Sequence, residues 1–155
     1  MTATPVYVVR HAKAGSRRTW EGPDDLRPLS PPGREQAAGL IATFAELPIE
    51  TVVSSPSLRC IQTVEPLARA RGLTLQTDPV LAEGADPHEA RRFAERLAVC
   101  PVVLCSHGDV IQGVLEEIEQ GGVSFGPNPK LQKGCTWVLL RSNDRWTDAR
   151  YIPPP

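Results

Sequence analysis

The sequence predicts an α/β fold, a three-layer sandwich with a mostly parallel central sheet and helices on both of its faces. Three observations predict it. Short, mostly apolar runs at Val6–Val9, Glu50–Val53 and Val102–Cys105 read as strands covered on both sides. The segments after them carry apolar residues at helical spacing. Strand and helix alternate without a composition break, so one domain is expected over residues 1–155, with 153–155 as a proline tail.

Taken in order, Val6–Val9 is the first strand and ends abruptly in Arg10-His11. Residues 13–32, rich in Gly, Pro, Asp and Arg, read as an irregular loop across the end of the sheet, where function often concentrates. Ser30 is placed to cap the first helix, with prolines in its first turn. Leu40, Ile41, Phe44 and Leu47 supply its apolar face. After the second strand, Ser54-Ser55-Pro56 turns into a helix over residues 57–71, with Leu58, Ile61, Val64, Leu67 and Ala68 inward. Pro66 is expected to kink that helix or split off its last turn, and Gly72 to stop it.

Leu73–Thr77 alternates like an edge strand, and Asp86 is placed to cap a third helix that turns Phe93 and Leu97 inward. From the strand at Val102–Cys105, Ser106-His107-Gly108-Asp109 leads into a helix carrying Val110, Ile111, Val114, Leu115 and Ile118. Gly121-Gly122 ends it. Residues 126–130 read as a loop, Thr136–Leu140 as a strand, and 146–152 as a last edge strand.

Composition narrows the function. Hydrophobic residues make up 41% and charged residues 23%, which argues against disorder. The net charge of −1 gives no bulk attraction for a nucleic-acid polymer or a membrane surface, so any pull on an anion must be local. No basic segment with a long apolar core opens the chain, and no apolar run approaches the ~20 residues of a membrane span. Cys60, Cys100, Cys105 and Cys135 form no C-x-x-C pair and read as buried reduced thiols rather than zinc ligands. A cytoplasmic location is expected.

Three predicted strands end in Arg10-His11, Ser54-Ser55 and Ser106-His107-Gly108, at the sheet edge where open α/β proteins bind ligands. Two of them run directly into helices, whose free N–H groups and positive dipole end attract anions. Arg10 and Arg59 offer two guanidinium forks suited to phosphate oxygens. A neutral His11 aimed at phosphorus can act as a nucleophile, while His107 and the arginines stabilise the transferring group. Glu83, in a tight turn after a predicted strand, is the candidate to protonate the leaving oxygen. A solvated carboxylate is the plainer reading of Glu83, and a core histidine that of His107. His88 reads as surface. Lys13, Trp20 and Lys133 are candidates for substrate contact. For Lys13 the alternative is a solvated loop face, for Lys133 a strand-edge charge, and for Trp20 a cap on its own loop.

Val8–Ala12, Arg27–Ser30, Gly33–Ala37, Ser54–Thr63 and Ser106–Asp109 together resemble the histidine phosphatase superfamily, in order along most of the chain. Within it the chain is similar to the small SixA-type branch and to the phosphatase domain fused behind Nudix hydrolases in some actinobacterial MutT proteins. Asp24–Leu29 and Lys133–Trp137 carry that likeness. The resemblance implies a phosphoglycerate mutase-like fold in a minimal form without a large lid. It makes His11 the phosphorylated nucleophile in a pocket of Arg10, Arg59 and His107, with Glu83 in the place of the proton donor. Arg17 falls where larger members carry an asparagine facing the phosphate, and would add positive charge. Ala12 replaces the usual glycine, and its methyl is expected to narrow the approach.

No Nudix helix motif occurs, so the pyrophosphatase half of such fusions is expected to be absent. The implied activity is a metal-independent phosphatase, without a cofactor, cleaving a phosphate monoester or phosphoramidate. A shallow, open cleft is expected, suiting a phosphohistidine protein, a nucleotide or another small phosphometabolite. The alternatives are a phosphate- or nucleotide-binding module without turnover, and a sugar-phosphate mutase, which would usually need a lid.

Overall fold

Six strands form one sheet: β1 (Thr4–Arg10), β2 (Thr51–Ser54), β3 (Leu75–Thr77), β4 (Val102–Ser106), β5 (Thr136–Ser142) and β6 (Arg145–Ile152). The structure, a computed structural model, describes residues 2–125 and 130–155. The loop expected at 126–130 therefore lies outside the described residues except for Lys130. Strand order is β3-β2-β4-β1-β5-β6. The first four in that order run parallel, while β5 is antiparallel to both β1 and β6. Asn143 and Asp144, with φ of 53° and 61°, make the two-residue hairpin turn between β5 and β6, a left-handed pair that short polar side chains tolerate.

Alternation along the strands explains the three layers. Val6 and Val8 of β1, with Val102 and Leu104 of β4, pack on one face against α3 (Pro87–Leu97) and α4 (Gly108–Gln120). Tyr7, Val9, Val103 and Cys105 point to the other face and meet α1 (Pro31–Thr43) and α2 (Leu58–Ala70). Each such side chain, fully buried, contributes about 1.5–3 kcal/mol, which is why strands covered on both faces read as unbroken apolar runs.

The caps follow the chemistry of their residues. The Ser30 and Asp86 side chains accept hydrogen bonds from Gly33 N–H and His88 N–H at the starts of α1 and α3. Gly72, at φ +67°, closes α2 with Leu73 N–H bonded to Ala68 O and Gly72 N–H to Arg69 O. Several expectations need correction. Ile41 stays 39% exposed, because the inward stripe of α1 runs through Gly33, Ala37 and Leu40, with Phe44 just past the helix end. Leu47 also lies past that end. Leu58 and Ile61 sit half-buried at the margin of a stripe centred on Cys60, Val64 and Leu67. Pro66 leaves α2 as one helix, with nothing split off at its end. Among the described residues, no helix is long and apolar enough to cross a membrane.

Candidate active site

Register places the site. Arg10 pairs with Ser106 and Ser54 with Cys105, so the C-terminal ends of β1, β2 and β4 stand side by side. The next residues, His11, Ser55 and His107, therefore share one edge, and the rings of His11 and His107 lie 5.4 Å apart. A cleft of about 790 Å³ opens over this edge, lined by Arg10, His11 and His107 among others.

His11 is 7% exposed and its Nδ1 lies 2.8 Å from the carbonyl oxygen of Ala12. A carbonyl only accepts, so Nδ1 carries the proton and Nε2 keeps the lone pair. Burial is the chief cause that pushes the imidazole down from 6.5 to about 3. The Ala12 carbonyl pulls the other way, and His107, Arg59 and Arg10 add to the lowering. The ring is neutral at physiological pH. Behind it, Ala12 N–H donates to Thr63 Oγ1 at 2.9 Å, tying the end of β1 to α2.

His107 is held on both nitrogens. Nε2 lies 2.9 Å from Ser55 Oγ and Nδ1 lies 3.4 Å from an Arg59 nitrogen, which can only donate. Nδ1 is thus the acceptor, and Nε2–H donates to Ser55. His107 also begins α4 with no side-chain cap, leaving the first N–H groups of that helix at the cleft, where Gly108 and Asp109 line the wall. A Cβ at Gly108 would come within 2.9 Å of the Arg10 guanidinium, so a larger residue there has to displace that side chain. That guanidinium donates to Leu131 O, yet Arg10 Nε is buried without a partner among the described residues, as is Arg59 Nε. Buried unpaired donors are costly, and an anion satisfies them.

Arg59 is 1% exposed and sits behind the cleft wall. It donates to Glu83 Oε2 at 3.1 Å and to the Asp24 carbonyl at 2.9 Å, and its Nη2 stands 3.2 Å from Asp24 Oδ2. Asp24 also pairs with Arg17 and Arg27, each at 3.2 Å, and Arg17 reaches Glu83 at 3.2 Å. Three guanidinium groups thus share two carboxylates.

A family model, the histidine phosphatase superfamily (branch 1), matches residues 6–100. The chain belongs to the histidine phosphatase superfamily. The 8-oxo-(d)GTP phosphatase of Mycolicibacterium smegmatis is 36% identical over 97% of this chain and 48% of its own length. An uncharacterised Mycobacterium tuberculosis protein is 36% identical over 57% of this chain and 45% of its own. The chain spans about half the length of the curated relatives it matches. The fold is that of SixA solved with tungstate, at TM-score 0.78 and 19% identity, covering 97% of this chain and 95% of that one. SixA from Nakamurella multipartitia superposes at TM-score 0.82 and 20% identity, covering 99% and 98%. This is the phosphoglycerate mutase-like architecture in its small form.

Against the histidine phosphatase motifs, the structure gathers Arg10, His11, Arg17, Glu83, His107 and Lys133 around one cleft, with Arg59 directly behind. Lys13 and Trp20 are not among its lining residues. Lys13 is exposed beside Gln36 in a separate groove, and Trp20 caps its loop by donating to Pro23 O at 2.9 Å. His88 pairs with Glu117 at 3.0 Å on the outer side of α3 and α4. Glu83 follows not a strand but a 3-10 turn, Pro79–Leu81, anchored where Ser106 Oγ donates to Leu81 O. The Ala12 methyl does not narrow the approach: it is fully buried with Leu29 and Ala37. Sequence reasoning gave no role to Arg27, Asp24 or Ser55. The first is 6% exposed and lines the cleft, and the other two orient its arginines and His107. Arg27 and Asp24 lie in the 13–32 loop, whose sequence points to function as a whole without singling out either residue.

Proposed function

We propose that the chain is a phosphatase that works through a phosphohistidine on His11 and acts on a nucleotide or a phosphometabolite of similar size. The observation that carries the reading is the neutral His11 ring, its Nδ1–H held by Ala12 O and its Nε2 lone pair left for attack. Arg10 and Arg59 bring unpaired donors to the same edge, and α4 brings its first N–H groups, all suited to the nonbridging oxygens. After transfer, the ring carries phosphorus on Nε2 and hydrogen on Nδ1, which leaves it positively charged and readily displaced by water. Glu83 is one of two carboxyls on the cleft wall, with Asp109, and is the one placed to activate that water. Every role is taken by a side chain or a backbone group.

The nucleotide half of the reading is supported by the 36% identity to the mycobacterial 8-oxo-(d)GTP phosphatase along almost all of this chain. The cleft volume also falls in the range of small-molecule sites, about 300–1,000 Å³. The test is a panel of nucleotides, sugar phosphates and phosphohistidine peptides, scored by phosphate release, with a rapid alkaline denaturing quench to trap labelled protein. The parent is expected to trap label on His11, and His11→Asn neither to trap it nor to turn over. Full turnover by a folded His11→Asn chain overturns the mechanism, and tight binding without label or released phosphate points to a binding module.

A further inference from the structure

Beyond the phosphoryl pocket, the cleft carries cations that one phosphate does not need. We propose that Lys133 and Arg27 form a subsite for a second phosphate, so that the bond broken is the phosphoanhydride of a nucleoside di- or triphosphate. The inference rests on the phosphatase reading above and narrows its substrate class.

Both residues line the cleft that His11 lines. Lys133 stands in the turn before β5, and the following N–H, of Gly134, donates to both the Arg10 and the His11 carbonyls at 3.1 Å. Gln36 Nε2 donates to the Lys133 carbonyl at 3.1 Å, and Gly134 takes φ +87°, a conformation that glycine adopts without strain. The turn is therefore docked on the backbone of the nucleophile itself, and Lys133 lines the same cleft. Arg27, on the loop that crosses the sheet edge, lines that cleft although it is 6% exposed. It is locked by Gly15 O at 2.7 Å and Asp24 Oδ1 at 3.2 Å.

Their charge is not fully matched. Among the described residues Lys133 has no carboxylate within ion-pair distance, whereas Arg17, Arg27 and Arg59 have Asp24 or Glu83. Partial desolvation, then the charges of Arg10, Arg27, Arg17 and Arg59, push its ammonium below the usual lysine range. Three arginines sharing two carboxylates, beside a lysine that has none, leave an excess of positive charge that suits an anion.

The leaving group fits as well. Glu83 has Oε1 on Arg17 and Oε2 on Arg59, so both oxygens face groups that donate hydrogen bonds and accept none. That is a poor setting for a proton donor. A phosphoanhydride does not need one. His11 Nε2 attacks the terminal phosphorus, the P–N bond forms, and the P–O bond to the bridging oxygen breaks with its electron pair passing to the adjacent phosphate. Lys133 and Arg27 take up that charge. Water then displaces His11, releasing inorganic phosphate, and the nucleotide leaves shorter by one phosphate.

The test compares kcat/KM for guanosine 5′-diphosphate, guanosine 5′-monophosphate and p-nitrophenyl phosphate in the parent, Lys133→Gln and Lys133→Arg. The parent is expected to favour the diphosphate over the monophosphate by about tenfold or more, the scale of one charge-assisted hydrogen bond. Lys133→Gln is expected to lower the ratio of diphosphate to p-nitrophenyl phosphate activity by a similar factor, and Lys133→Arg to restore it. Equal losses on both substrates, or a parent that prefers the monophosphate, overturn the second subsite while leaving the phosphatase reading intact. No phosphate from any of the three, with no trapped phosphoenzyme, overturns both.

Discussion

Acid should unfold this protein earlier than its surface charges require, and His11 is the reason. Folded, its ionisation is pushed from 6.5 to about 3. Unfolded, it titrates near the ordinary value of about 6.5. Between those two values the unfolded chain binds a proton that the folded chain refuses, so stability falls as the pH falls. The contribution is whole above about pH 6.5 and is lost progressively toward pH 3. At about 1.4 kcal/mol for each tenfold difference in proton affinity, the loss approaches 5 kcal/mol at the bottom of the window and about 2 kcal/mol at pH 5. Set against a domain stability of roughly 5–15 kcal/mol, this is large. Urea unfolding of the parent and of His11→Asn, at about pH 7.5 and pH 5, isolates the effect. Asp24 and Glu117, both held below the usual carboxylate range, titrate in both chains, so their share largely cancels in the difference. The parent should lose about 2 kcal/mol more than the variant over this interval. Equal losses would refute a buried, neutral nucleophile.

Two further substitutions test the scaffold of the site. Ser55→Ala removes the hydroxyl that accepts from both His107 Nε2 and Ser57 N–H, at 2.9 and 3.2 Å. It should cost about 1–3 kcal/mol in a denaturant titration and lower kcat more than it raises KM, because His107 loses its orientation; an unchanged kcat would count against that role. Gly33→Ala places a Cβ 1.8 Å from the Lys13 carbonyl oxygen, where only backbone can give way. The start of α1 and the loop after His11 must then separate, at a cost of about 1–3 kcal/mol or more, read as a lowered midpoint in thermal melts.

Much of the fold was legible because its signals are local. A β-branched run followed by a polar turn and a helical stripe says the same thing wherever it occurs; β2 and β4 each carried it, and β1 carried the run alone, ahead of a long loop. Pro66 splits no turn off α2, because a proline rule written for an isolated helix omits the sheet face that α2 packs against: Val64, Leu67 and Ala68 bury on either side of it. The methyl of Ala12 does not narrow the approach because the chain turns it under Leu29 and Ala37, a placement that the family comparison of glycine with alanine does not carry.

The site divides along the same line. His11 and His107 follow strand ends, so register alone brings them together. Asp24 could not be read that way. It lies in a stretch without periodicity, and its partners Arg17, Arg27 and Arg59 are gathered by a loop that crosses the sheet, not by any repeat. Yet Asp24 decides what those arginines can do. Arg59 meets two carboxylates while keeping one buried N–H unpaired, so a phosphate oxygen that takes the free donor must also contend with Asp24 and Glu83 for the others. Under the proposed mechanism, affinity for phosphate at this edge is then a difference between two anions' claims on one guanidinium. That makes the two acids, as much as the arginine, determinants of how tightly the transferring group is held.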